Sequence, residues 1–274
     1  MEYSDDVFDD METLLALNPI KKERLRKIRG TNTYANSVNV YVGRPRSGKT
    51  YLALHDIISV VRNDKNTHLL VYINEKGECD DDTFDRFQEL IDVDIVFVSY
   101  ENAEKYLKNL LDYKMIYNKC IDEGVNESEI PPEVLQELSS ELHLRPPTLA
   151  RAHLHTLILL EDATNAKVLR SNSSYINDLL TRCAHTQFSF FIIIHYWKAL
   201  TTNIKANLST IYIFPGYSRQ QLQYMLYQMN TNCDFKEILQ KYVSLPQYGK
   251  LVVDLRPKNS CFASACSGLS KSFT

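Results

Sequence analysis

Gly43-Arg44-Pro45-Arg46-Ser47-Gly48-Lys49-Thr50 fits G-x-x-x-x-G-K-[ST], a spacing whose residue types suit one task, holding a phosphate chain. Gly43 and Gly48 let the backbone approach an anion closely, and successive N–H groups converge on it. The positive end of a following helix adds to that field. Lys49 would place its charge on the β- and γ-phosphates, and the Thr50 hydroxyl would bind Mg²⁺. With Tyr51 opening the next element, Gly43 to Tyr51 form the candidate site for ATP and Mg²⁺.

A second segment supplies acids. His155-Thr156-Leu157-Ile158-Leu159-Leu160-Glu161-Asp162 is an apolar run ending in two carboxylates. At the end of a strand, one acid can serve the Mg²⁺ shell while its neighbour orients an attacking water. By position Glu161 is the metal-side acid and Asp162 the base, with the reverse assignment open. A third apolar run, Phe188 to Ile194, ends in His195. Where a strand is inserted beside the phosphate loop, its tip can sense the γ-phosphate. His195 is therefore a candidate sensor, the plainer alternative being a structural histidine. Asn203 and Asn207 are weaker candidates.

These groups need elements to position them. Strands are predicted at Val38–Val42, His68–Ile73, Ile95–Ser99, Thr156–Leu160, Phe188–Ile194 and Thr210–Phe214, with a late edge strand over Leu251–Leu255. Helices are predicted at Lys49–Arg62, Thr83–Leu90, Ala103–Asn118, Ala166–Cys183 and Gln220–Met229. Strands that are apolar throughout, alternating with helices, imply an α/β doubly wound parallel sheet. The implied organisation is a charged arm (1–36), a P-loop domain (37–255) with a helical insertion (119–150), and a flexible tail (256–274) rich in Ser, Ala and Cys. The arm is acidic, then basic, and reads either as a solvated helix or as a docking arm for a neighbouring subunit or phosphate backbone.

Composition narrows the class. The 274 residues carry a net charge of −3, so the whole surface is not built to coat nucleic acid. A ring enzyme needs only a few cations facing its pore. No apolar run spans a bilayer, and the acidic N-terminus has the wrong sign for a signal peptide, so a cytosolic setting is expected. Cys79, Cys120, Cys183, Cys233, Cys261 and Cys266 are scattered without metal spacing and read as reduced thiols.

The order of these blocks resembles the poxvirus-type genome-packaging ATPases of the FtsK–HerA group, found also in giant viruses, virophages and polintons. The resemblance covers about residues 37–230, and its most diagnostic part runs from Leu157 to Phe214. It implies a RecA-like core that forms a homo-oligomeric ring, a hexamer or pentamer, at a capsid vertex and threads double-stranded DNA inward. Its expected setting is the host cytoplasm, in a viral factory, and the virion, without a membrane. By motif position it makes Lys49, Glu161, Asp162 and His195 catalytic, with Thr50 and Glu161 at the metal. Arg182 would be a finger reaching an adjacent subunit's nucleotide, with a helix C-terminal cation as its plainer reading and Arg46 as a rival in cis. This chain departs from the pattern at two positions. His195 stands where the group usually has Gln, and Glu161 where it has Asp. A virion assembly or export ATPase and a nucleotide-gated interaction module with little turnover are the competing readings.

Overall fold

The computed structural model describes residues 36–63, 67–79, 82–122, 155–171, 174–229, 234–256 and 262–266. The charged arm up to residue 35 and the insertion beyond Asp122 lie outside them. Chain order starts with β1 (Val38–Val42), α1 (Lys49–Asn63), β2 (Thr67–Asn74), α2 (Asp82–Gln88), β3 (Asp94–Ser99) and α3 (Tyr100–Asp122). After the insertion come β4 (His155–Leu160), α4 (Lys167–Arg170), α5 (Tyr175–Thr181), α6 (Cys183–Thr186) and β5 (Phe188–Ile194). The chain continues with α7 (Thr202–Ala206), β6 (Thr210–Ile213), α8 (Arg219–Gln228), α9 (Phe235–Val243), β7 (Lys250–Asp254) and β8 (Phe262–Cys266).

The strands form one eight-stranded sheet in the order β3-β2-β4-β5-β1-β6-β7-β8. The ladders from β3 to β6 are parallel, while β7 and β8 join antiparallel. The apolar runs have their cause in this arrangement: every residue of β1, β4 and β5 is buried, because helices cover both faces. Alternate residues serve opposite cores. Val40, Val71, Ile158, Phe190 and Ile192 face one core, which α3, α5 and α8 cover with Leu107, Leu179 and Leu222. Tyr41, Tyr72, Leu159 and Phe191 face the other, covered by Leu54 and Ile57 of α1 and by Phe84 and Phe87 of α2.

The structure corrects three expectations. The single helix expected over Ala166–Cys183 is three short ones. The chain leaves α4 after Arg170 and restarts where the Ser174 hydroxyl accepts the Asn177 N–H, a cap strong enough to begin a new helix. It breaks again at Arg182, whose φ of −107° is non-helical. Second, β7 is not the edge, since β8 pairs outside it. Third, β8 lies within the tail read as flexible; Ala263, Ser264 and Ala265 have weak strand propensity, and pairing with β7 supplies the order. Helix α9, begun by an Asp234 side chain that accepts the Lys236 N–H, was not expected either.

Polar side chains cross the sheet where the parallel strands begin. Thr67 Oγ1 lies 3.0 Å from His155 Nδ1, and His155 Nε2 lies 2.7 Å from Ser189 Oγ. Ser189 Oγ accepts the Ser37 N–H at 3.3 Å, and Asn39 Nδ2 donates to Ser37 Oγ at 2.8 Å and to the Phe190 carbonyl at 3.3 Å. All of these groups are buried. Lys114 Nζ joins nearby, donating to Thr156 Oγ1 at 3.1 Å.

Candidate active site

The strand order puts the tips of β1, β5 and β4 side by side, so the phosphate loop, His195 and the two acids meet at one end of the sheet. The loop leaves β1 at Gly43, whose N–H donates to the Ile194 carbonyl at 3.2 Å. A Cβ there would sit 2.7 Å from Phe214 Cβ and from Ser47 Oγ, so only glycine fits. Gly48 takes φ +91°, and Arg46 is also left-handed at φ 60°. Pro45, Arg46, Ser47, Gly48, Lys49, Thr50 and Tyr51 line a cleft of about 840 Å³ with Asn74, Glu75, Lys76, Glu161, Asp162 and His195. Arg44 turns away: its side chain lies along Gly216, where a Cβ would come within 2.9 Å of Arg44 Cδ.

Lys49 folds back over the loop, its Nζ donating to the Arg44 carbonyl at 2.7 Å. It is 5% exposed. Burial pushes its pKa down to about 8, and the Asp162 carboxylate offsets part of that. Glu161 Oε1 lies 3.5 Å from the Thr50 hydroxyl, so Glu161 is the acid on the Thr50 side of the cleft. The Tyr72 hydroxyl donates to the other Glu161 oxygen, and the Tyr100 hydroxyl donates to the Glu161 carbonyl at 2.7 Å. Burial first, then the charge of Glu161, raises the Tyr72 pKa far above its ordinary value, so this phenol remains a donor.

Asp162 sits at a sharp left-handed turn, φ 46° and ψ 45°, a conformation Asp tolerates better than most residues. The turn swings its carboxylate into the cleft, where Oδ1 lies 3.1 Å from His195 Nε2. His195 Nδ1 faces the Gly43 carbonyl at 3.2 Å. The His195 backbone is fixed at both ends: its N–H donates to Thr164 Oγ1 at 2.7 Å, and its carbonyl accepts the Tyr217 hydroxyl. The histidine thus bridges the phosphate loop and Asp162.

Arg182 is not in the cleft of its own chain. It pairs with Asp178 on α5 and is half exposed. The following Cys183 thiol donates to the carbonyl of Asn36, just before β1 begins. That places Arg182 where the strands start, roughly 20 Å along β5 from the phosphate loop at the usual rise per residue. Asn203 and Asn207 bond to each other around α7 and do not line the cleft. Tyr72, Tyr100, Thr164 and Tyr217 hold the site without belonging to any motif. The one hint of them in the sequence is a lone hydroxyl inside the apolar run of β2.

The residues present fit a magnesium nucleotide. Ser47 Oγ is buried without a hydrogen-bond partner and the Gly43–Gly48 loop is open to an anion, while Thr50 and Glu161 offer the hard oxygens that Mg²⁺ prefers. Lys49 carries a testable consequence. A triphosphate would hold its proton, so binding should take up a proton above pH 8 and ATP affinity should fall by up to about tenfold per pH unit there. Calorimetry at pH 8.5 in buffers of different ionisation heats should register this uptake, and Lys49→Met should remove it. No buffer dependence in the unsubstituted protein would contradict the buried ammonium.

A phosphate loop, an acid-tipped strand and a strand inserted between them define a RecA-like P-loop NTPase fold. No protein-family model matches this sequence, and no curated protein matches it. Solved structures do match in fold. The genome packaging NTPase B204 from Sulfolobus turreted icosahedral virus 2, in complex with ATP-gammaS, superposes with a TM-score of 0.50 at 15% identity, over 85% of this chain and 97% of that one. Its complex with sulfate gives 0.51 at 14% identity, with the same coverage. The DNA-packaging ATPase B204 from Sulfolobus turreted icosahedral virus gives 0.50 at 14% identity, over 86% and 99% of the two chains.

Proposed function

We propose that this chain is an ATP-hydrolysing motor that moves double-stranded DNA into a viral capsid. The observation that carries this reading is the extent of the likeness: it takes in 85–86% of this chain and 97–99% of the packaging NTPases. Lys49 and the loop amides hold the triphosphate, and Thr50 and Glu161 hold Mg²⁺, which neutralises phosphate charge when bound. Asp162 orients and deprotonates the attacking water, and His195 reports the state of the γ-phosphate to the phosphate loop. The motor works as a homo-oligomeric ring of five or six subunits at a capsid vertex, in the host cytoplasm and the virion. Among the described residues no helix is long and apolar enough to cross a membrane.

Arg182, remote from its own cleft, acts in trans as the neighbour's finger, so hydrolysis needs an assembled ring. Rings mixed from Arg182→Ala and Asp162→Asn subunits should recover part of the lost activity. No recovery at any ratio, with mixing demonstrated by mass spectrometry, removes the finger. The motor reading is tested by steady-state hydrolysis with and without linear duplex DNA across protein concentration. Stimulation by DNA with a steep concentration dependence is expected; flat, negligible turnover with procapsids present would favour a nucleotide-gated module instead.

A further inference from the structure

Around the loop that leaves β5, beside the ATP cleft, a second pocket of about 440 Å³ opens at the same end of the sheet. Tyr196, 63% exposed, and Tyr224, 43% exposed, line it. Arg170 and Lys198, both exposed, stand on its wall. Among the described residues no acidic side chain lines it, although the chain as a whole is net negative. The pocket is therefore a local cationic, aromatic surface, complementary to a phosphate-bearing ligand with flat sugar or base faces.

Two of its lining residues also hold the backbone of His195. The two groups that fix the His195 backbone, Thr164 Oγ1 and the Tyr217 hydroxyl, both belong to residues lining this pocket. Arg170 touches the same turn, donating from Nη2 to the Thr164 carbonyl at 3.1 Å and to Asn165 Oδ1 at 3.0 Å. Arg170 thus joins the pocket wall to the turn whose Thr164 hydroxyl accepts the His195 N–H. The imidazole on the far side of that backbone contacts Asp162.

We propose that this pocket seats one phosphodiester strand of the DNA, and that its occupancy is passed through His195 to the catalytic base. The inference rests on the motor reading above and adds to it the place of DNA contact and the route from DNA to hydrolysis. Phosphates meet Arg170 and Lys198, and deoxyribose lies against Tyr196 and Tyr224. The filled pocket shifts the Thr164–Tyr217 clamp, moves His195 off Asp162 and frees the carboxylate for water.

The test uses the full chain, a fluorescent 30-base-pair duplex and ATP hydrolysis at saturating duplex. Tyr196→Ala/Lys198→Ala changes exposed side chains outside the ATP cleft. It should leave DNA-free hydrolysis within about twofold, abolish stimulation, and lower the salt slope of duplex affinity by about one for the cation removed. Tyr217→Phe should keep duplex affinity yet lose most of the stimulation, because the clamp and not the contact is cut. Stimulation and salt slope unchanged in the double variant overturn the pocket while the motor reading stands. Absent stimulation in the unsubstituted protein overturns both. Loss of a second, weak nucleotide site with unchanged duplex affinity would assign the pocket to a free nucleotide and overturn the DNA assignment.

Discussion

Asp162→Asn should slow ATP hydrolysis by about 100- to 10,000-fold, the range for removing a positioned general base, while ATP affinity stays within about threefold. The substitution is nearly isosteric. Asn accepts the left-handed backbone that the turn after β4 imposes at φ 46°, and its amide oxygen can still face His195 Nε2. What disappears is the carboxylate's ability to take a proton from water. The Asp162 side chain is two-thirds exposed, so the fold loses little. Glu161→Gln is the matched control. Its carboxylate stands by Thr50 and is held by Tyr72, so this change should chiefly raise the Mg²⁺ concentration needed for half-maximal activity. Single-turnover hydrolysis with a magnesium titration separates the two. If Glu161→Gln kept its magnesium requirement and alone abolished hydrolysis, the two roles would be exchanged.

Lys49→Met should have effects of opposite sign on activity and stability. Hydrolysis should fall at least about 100-fold, because the charge that meets the triphosphate is gone. The nucleotide-free fold should become more stable at neutral pH. The Lys49 ammonium is almost completely buried, and its pKa in the fold is pushed down to about 8 from an ordinary 10.5. Between those values the unfolded chain binds the proton more tightly, so folding becomes easier as pH rises through that window. Below about pH 8 the cost is fully present, on the order of 3 kcal/mol. Methionine keeps the aliphatic stem and removes the charge, so Tm at pH 7 should rise by on the order of 5 °C, and this gain should vanish near pH 10.5. A lower Tm at pH 7 would mean that the Lys49–Arg44 hydrogen bond outweighs the desolvation it offsets.

The sheet core was legible because continuous apolar runs such as Phe188–Ile194 have few other uses. The place of that run between β1 and β4 followed from the order of the blocks. The phosphate loop was legible because its spacing leaves little freedom: Gly43 has no room for a Cβ, and Gly48 sits at φ +91°. Long-range partnerships were not legible. Tyr72 and Tyr100 reach Glu161 across 89 and 61 residues of chain, and no local pattern encodes which acid a tyrosine will meet. The break in the helix after β4 is not visible in the apolar spacing, because Leu169 and Ile176 keep helical phase across the polar stretch 170–174, where the Ser174 hydroxyl restarts the helix. Strand β8 escaped because small residues carry no strand signal until a neighbour pairs with them.

The hydrogen-bonded ribbon through Thr67, His155, Ser189, Ser37 and Asn39 bears on how this sheet assembles. Strands that are apolar on both faces look alike when displaced by two residues, and hydrophobicity alone scarcely penalises such a slip. Each ribbon donor meets its acceptor at a single alignment of β2, β4, β5 and β1, and a slip would strand several buried polar groups at about 1–3 kcal/mol each. The polar row thus works as a vernier at one end of the sheet. It holds four interchangeable strands in the alignment that brings their far tips level, where a misplacement of one residue pair would separate phosphate loop from acid by more than a bond can span.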